Sequence, residues 1–176
     1  MKSIHLKSFQ CFQDSRIIPL HKLTIFIGEN DSGKSAILKA MDIFFNNKPM
    51  TPDLFHSINT DIQKECEIQI VFKSIHKDYS DFPKQYIVND EVTIKKIFSL
   101  DENSQINLAV WIKAFVFSQS EFNDIPTLKA GDLKKLCSQV GIQYRGVAES
   151  QQSIQEYITL NYDKLRKKEE WMQIRW

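Results

Sequence analysis

Eight consecutive residues, Gly28-Glu29-Asn30-Asp31-Ser32-Gly33-Lys34-Ser35, carry the spacing G-x-x-x-x-G-K-[ST] of a phosphate-binding loop. Each residue type has a reason to be there. The amides of Gly33, Lys34, Ser35 and Ala36 fall where a helix would begin, so they lack intrahelical acceptors and favour an anion. Gly28 and Gly33 permit a close backbone approach that a Cβ would obstruct. Lys34 supplies an ammonium for the β- and γ-phosphates, and the Ser35 hydroxyl is a candidate Mg²⁺ ligand. Asn30 and Ser32 complete the cradle. Glu29 and Asp31 are expected to point away from the phosphates. The chemistry implied is binding of a nucleoside triphosphate, with ATP and Mg²⁺ as the expected cofactors.

A strand and a helix must position such a loop. Leu23-Thr24-Ile25-Phe26-Ile27 is a short apolar run and predicts a strand buried on both faces of a parallel sheet. Ile37, Leu38, Ala40, Met41, Phe44 and Phe45 follow helical spacing and predict a helix ending near Asn46-Asn47-Lys48-Pro49.

The rest of the chain reads as mixed α and β. Met1–Phe12 and Ile17–Leu20 predict opening strands, the second near a sheet edge because of Pro19. Residues 51–64 predict an exposed loop with a helical turn, 67–72 a half-buried strand, and 73–84 a loop. Residues 91–112 predict an antiparallel hairpin, with turns at Asn89-Asp90 and Asp101–Ser104. Leu133, Leu136 and Val140 predict a small helix closed by Gly141. A further helix is predicted from Ser153 to about Lys168, with Ser153 and Glu156 as a capping box.

At 176 residues and 42% apolar content the chain suits a globular domain. No apolar run reaches transmembrane length, and the N-terminus lacks a secretory apolar stretch. Cys11, Cys66 and Cys137 have neither metal-binding nor disulfide spacing, which points to the cytoplasm. His5, His21, His56 and His76 are scattered, and surface or loop positions are expected for them. A net charge of +1 leaves no global basic footprint. The arginines are Arg16, Arg145, Arg166 and Arg175. The cluster Lys164–Lys168 runs into Glu169-Glu170, so a solvated mixed-charge face stands beside a DNA-binding patch as its reading.

Met1–Phe12, Leu23–Ser35 and, more weakly, Ala114–Leu128 together resemble the N-terminal lobe of ABC-type ATPases of the SMC and RecF group. Within that group the chain is most similar to OLD-family (overcoming lysogenization defect) ATP-dependent nucleases and their AAA-type relatives in phage defence. The resemblance implies an α/β P-loop NTPase fold of ABC/SMC type, an N-terminal lobe with a mixed sheet and an inserted antiparallel β region. Residues 1–130 would form that lobe and 131–176 a helical extension. It implies ATP control of a DNA-acting nuclease, in phage defence or DNA repair, and head-to-head dimers that sandwich ATP.

Three departures stand beside it. The arginine common in the opening motif is Gln10. No four-residue apolar run ending in Asp-Glu follows the loop, and no Leu-Ser-Gly-Gly-like segment occurs. Gln119 ends the run after Phe115-Val116-Phe117 and reads either as a Mg²⁺-contacting glutamine or as an exposed loop residue. No other catalytic residue is assigned. The ending Glu170–Trp176 reads as that of a fragment or truncated product of a longer ATPase, with a small standalone protein as the alternative. Expected partners are a homo-oligomer or the remainder of a larger ATPase/nuclease, DNA through that complex, and no membrane. Trp171, Trp176, Ile154, Tyr157, Ile158 and Leu165 are the expected apolar docking patch, unless that helix folds back on its own sheet.

A GTPase or small-molecule kinase fits less well. Asn47-Lys48-Pro49-Met50 lacks the aspartate that recognises guanine, no Asp-x-x-Gly occurs, and arginines for a lid are few.

Overall fold

The computed structural model describes residues 1–58, 61–62, 64–73, 84–117, 120–123 and 125–174. His76, Gln119, Arg175 and Trp176, with most of the 73–84 loop, lie outside the described residues. The chain divides into two compact units, one of Met1–Ser80, Asn89–Lys113 and Trp171–Trp176, the other of Asp81–Val88 and Ala114–Glu170.

The first unit is built on antiparallel strands, and residues 114–117 of the seventh strand and 166–170 of the eighth fall in the second unit. β1 (Ser3–Phe9) turns at Gln10-Cys11 into β2 (Phe12–Pro19). The short β3 (Ser57–Ile58) and β4 (Asp61–Ile62) pair with each other, and β5 (Glu65–Lys73) lies beside β1. β6 (Glu91–Leu100) and β7 (Ile106–Phe117) form the expected hairpin, and β8 (Arg166–Ile174) ends the order β2-β1-β5-β6-β7-β8. The β1–β2, β1–β5, β5–β6 and β6–β7 pairings are all antiparallel, so the sheet is an open antiparallel one instead of the mixed sheet expected. The turns follow their sequences. Asn89 and Asp90 have φ of 54° and 61°, the left-handed pair of a tight hairpin turn. Asp101 Oδ1 accepts from the amides of Asn103 and Gln105 at 2.9 and 2.8 Å.

Alternation gives this sheet one apolar face. The register aligns Ile4 with Ile70 and Leu6 with Ile68, then Ile70 with Ile94, Ile68 with Lys96 and Cys66 with Phe98. Helix α1 (Lys34–Asn46) buries Ala36, Ile37, Ala40, Ile43 and Phe44 in the same cluster and ends at Asn47 in the left-handed conformation, as expected. Each such large side chain removed from water contributes about 1.5–3 kcal/mol. Leu38 and Phe45, expected on the buried side, are exposed, because they sit at the rim of the helical stripe. Leu54 and Phe55 are buried inside a segment expected to be exposed, and Phe9 and Phe55 form an isolated bridge.

Three expectations fail here for physical reasons. Leu23–Ile27 is not a strand: no described segment pairs with it to complete a ladder. The last helix ends at Leu165, and residues 166–174 continue as β8. His5 lies within strand β1 and not in a loop, half-buried and bonded to Asp14 at 2.7 Å, whereas His56 keeps the loop position expected, its Nδ1 bonded to the Gln10 carbonyl at 2.6 Å. The bond from His5, followed by that from the Arg16 amide, holds the Asp14 carboxyl below its usual range.

The second unit has its own core. α2 (Ala130–Val140) is closed by Gly141 at φ 74°, whose amide reaches the Cys137 and Ser138 carbonyls. α3 (Val147–Leu165) starts after Gly146, well before Ser153. Ser153 Oγ therefore donates to the Glu149 carbonyl at 2.9 Å in mid-helix, and the capping box does not form. Ile154 and Ile158 are buried with Leu133, Leu136 and Phe122, and Tyr157 and Leu165 pack against them. The face expected to be an exposed docking patch is thus the inside of this unit. Burial pushes the Tyr162 hydroxyl up to about 12. The basic cluster is engaged locally: the Arg166 guanidinium lies 5.0 Å from the Phe115 ring centre and 3.5 Å from Asp163, and Lys168 pairs with Glu170.

Candidate functional site

The glycine loop occupies the N-terminal end of α1. Gly33 is the N-cap, with φ 88° and no side-chain cap, and the first helical bond runs from the Ile37 amide to the Gly33 carbonyl at 3.1 Å. The amides of Gly33, Lys34, Ser35 and Ala36 therefore have no intrahelical acceptor, and the positive end of the helix dipole lies on the same spot. Ser35 is exposed there, while Ala36 turns into the core.

The loop closes around its own lysine. Lys34 Nζ donates to the Gly28 carbonyl at 2.9 Å, to the Glu29 carbonyl, and to Ser32 Oγ at 3.1 Å. The Ser32 amide donates to the Glu29 carbonyl at 3.3 Å, and Asp31 takes φ 65°. Gly28, Ser32, Gly33 and Lys34 are brought together in this way. Asn30 sits exposed in the turn between them.

Space at the glycines is tight where the motif needs it. A Cβ at Gly33 would lie 2.5 Å from the Phe12 ring and 3.0 Å from Cys11 Sγ. One at Gly28 would lie 2.9 Å from Ser32 Oγ. Phe12 and Cys11 are held at the β1–β2 turn because the Gln10 amide donates to the Leu54 carbonyl at 2.8 Å and the His56 amide to the Ser8 carbonyl at 2.9 Å. These two residues back the loop, a role that sequence reasoning did not assign. The only sequence signal was their place in the turn after an alternating strand.

Lys96 was missed as well. It stands 9% exposed on the apolar face of β6, between Ile94 and Phe98, where alternation demands an apolar residue. Its Nζ donates to the Phe44 carbonyl at 2.8 Å and to Asn47 Oδ1 at 2.9 Å, both at the C-terminal end of α1. Burial pushes its ammonium below the usual lysine value. A lysine interrupting an apolar stripe is the signal that could have found it.

The residues present fit a nucleotide with Mg²⁺: the amide-lined, Cβ-free cradle at Gly33 suits phosphate oxygens, Lys34 carries the cation, and Ser35 offers an exposed hydroxyl. Among the described residues no group of three or more His, Cys, Asp or Glu gathers to hold a metal on its own. No described helix is long and apolar enough to cross a membrane.

The uncharacterized protein MJECL44 of Methanocaldococcus jannaschii is 28% identical over 115 residues, which cover 60% of this chain and 34% of the archaeal protein. The chain thus spans about a third of the length of that curated relative. Residues 1–174 match the AAA ATPase domain family (AAA_15), and the chain belongs to that family.

Proposed function

We propose that this chain is the ATP-binding lobe of an ABC/SMC-type ATPase that controls a DNA-acting nuclease of the OLD kind, in phage defence or DNA repair in the cytoplasm. The observation that carries the nucleotide reading is the loop itself: a Cβ-free helix N-terminus with Lys34 folded over the Gly28 and Glu29 carbonyls. Gly28, Asn30, Ser32, Gly33, Lys34, Ser35 and Ala36 would hold the triphosphate, with Ser35 as a Mg²⁺ ligand. Bound Mg²⁺ would supply charge neutralisation at the β- and γ-oxygens. Lys34 would leave the loop carbonyls for the phosphates, a charge-assisted exchange. The nuclease assignment is supported by the resemblance of Met1–Phe12 and Leu23–Ser35 to that group, and by membership of the AAA ATPase domain family. Homo-oligomerisation or assembly with the remainder of a larger ATPase belongs to the same reading, with DNA met through that complex.

A second reading is an ATP-binding assembly module that does not turn ATP over by itself. It is favoured by one feature: no apolar run ending in Asp-Glu follows the loop to position an attacking water.

Calorimetric titration of ATP into the Lys34→Ala variant tests the nucleotide site. The expected result is loss of detectable binding with an unchanged circular dichroism spectrum. Unchanged affinity would remove the assignment.

A further inference from the structure

The turn between β1 and β2 is shaped from outside. Ser8 and Gln10 hold left-handed φ, at 51° and 46°, although each carries a Cβ that disfavours it. At other such positions the chain uses Asn47, Asn89 and Asp90, residue types that tolerate the conformation. Arg16, also left-handed, has its amide bonded to the neighbouring Asp14 carboxylate at 2.7 Å. A two-residue hairpin loop closes most readily on a pair such as Asn-Gly, and Gln10-Cys11 contains neither. Residues 54–56 hold this turn instead. The Gln10 amide donates to the Leu54 carbonyl at 2.8 Å and the His56 amide to the Ser8 carbonyl at 2.9 Å. The half-buried His56 adds a side-chain bond, Nδ1 to the Gln10 carbonyl at 2.6 Å. A carbonyl can only accept, so His56 carries a proton on Nδ1.

The turn held in this way is the one that meets the glycine loop. A Cβ at Gly33 would lie 3.0 Å from Cys11 Sγ and 2.5 Å from the Phe12 ring. We propose that His56 is a positioning residue for the triphosphate site: its Nδ1–H pins the Gln10 carbonyl, holds the strained turn, and so keeps Cys11 and Phe12 seated against Gly33. This rests on the nucleotide reading above. Without that bond Gln10 loses one of the partners that offset its left-handed backbone, and the turn relaxes toward negative φ. Phe12 then moves away from Gly33, which loses the surface that fixes its own φ of 88°. The amides at the head of α1 no longer converge on one point. Binding constellations need their parts held within about 0.5 Å, so a small shift suffices. His56 itself acts only through the turn.

Three variants of the 176-residue chain test this, each titrated with ATP and Mg²⁺ by calorimetry where circular dichroism shows it folded. His56→Leu removes the donor and should weaken ATP binding about tenfold. His56→Asn puts an amide N–H where Nδ1 stood and should bind within about twofold of wild type. Adding Gln10→Gly to His56→Leu should restore most of the loss, because glycine takes the left-handed conformation freely. A role in packing alone would leave both rescues without effect, and that result overturns the proposal. Wild-type affinity in His56→Leu overturns it too. Where His56→Leu does not fold, His56→Gln stands in, since its amide reaches the place of Nε2 and not of Nδ1; the same loss is expected. The amide resonances of Gly33 and Lys34 without nucleotide keep the two readings apart. They should move in His56→Leu and return with Gln10→Gly. That movement in a chain that binds no ATP removes the nucleotide reading and leaves the His56 clamp on Gly33. ATP binding with the resonances unmoved removes the clamp and leaves the nucleotide reading.

Discussion

The Lys96 ammonium, rising from the apolar face of β6, donates a 2.8 Å hydrogen bond to the Phe44 carbonyl in the last turn of α1. The other end of the same helix carries Lys34 and the glycine loop. One lysine thus ties the C-terminal end of α1 to the sheet, satisfying a terminal carbonyl and complementing the negative end of the dipole. The Phe44 ring, 5.2 Å from Nζ, adds a cation–π contact.

Replacing this residue by Lys96→Met keeps its volume and leaves the Phe44 carbonyl without its donor. A loss of about 1–2 kcal/mol in urea unfolding is expected at neutral pH. The pH dependence has a definite sign. Burial lowers the folded pKa of Lys96 below the ordinary 10.5, so the folded chain releases this proton first and the unfolded chain binds more protons. Wild-type stability relative to Lys96→Met therefore rises as pH climbs toward 10.5. A difference that shrinks over that range would contradict the burial.

Gly33 and Gly141 both have left-handed φ, at 88° and 74°, but only Gly33 is crowded. Gly141→Ala should cost only the backbone strain, about 1–2 kcal/mol. Gly33→Ala should cost more than that and also weaken ATP binding, because its new Cβ meets the Phe12 ring at 2.5 Å. Equal losses in the two variants would show that Phe12 yields freely.

The three thiols should separate by reactivity. Cys11 is exposed, whereas Cys66 and Cys137 are buried. Burial pushes the Cys66 thiol from 9.0 up to about 12, so roughly one part in ten thousand is thiolate near pH 8. Mass spectrometry after brief alkylation of the native chain should find Cys11 modified, with Cys66 and Cys137 reacting only after denaturation. Because the unfolded Cys66 loses its proton first, its contribution to stability is full below about pH 9 and is lost toward about 12.

Turnover by the 176-residue chain alone should fall far below the ~1–100 s⁻¹ of competent phosphoryl-transfer enzymes. A steady-state assay with ATP and Mg²⁺ that reaches that range would reveal a catalytic carboxylate elsewhere in the chain.

Local chemistry made much of this protein legible from its residues. The spacing of Gly28, Gly33, Lys34 and Ser35 marks the glycine loop proposed as the phosphate site, helical periodicity marks α1, and Asn89-Asp90 and Asp101–Ser104 mark turns, because each depends on neighbours within a few residues. Leu23–Ile27 shows where that reach ends. Its sequence has the character of a buried strand, but a strand exists only when another chain segment completes its hydrogen bonds, and no described segment does. The same limit explains Lys96, whose role depends on a helix about fifty positions earlier in the chain, and Phe12, which backs Gly33 only because the Leu54 and His56 backbones hold the β1–β2 turn in place. It also explains the helix carrying Ile154 and Ile158: periodicity showed an apolar face, and packing against Leu133 and Leu136 decided that the face lies inward. Sequence by itself determined which residues form the glycine loop at the head of α1; tertiary structure decided what stands behind them, because burial and pairing belong to contacts between distant segments.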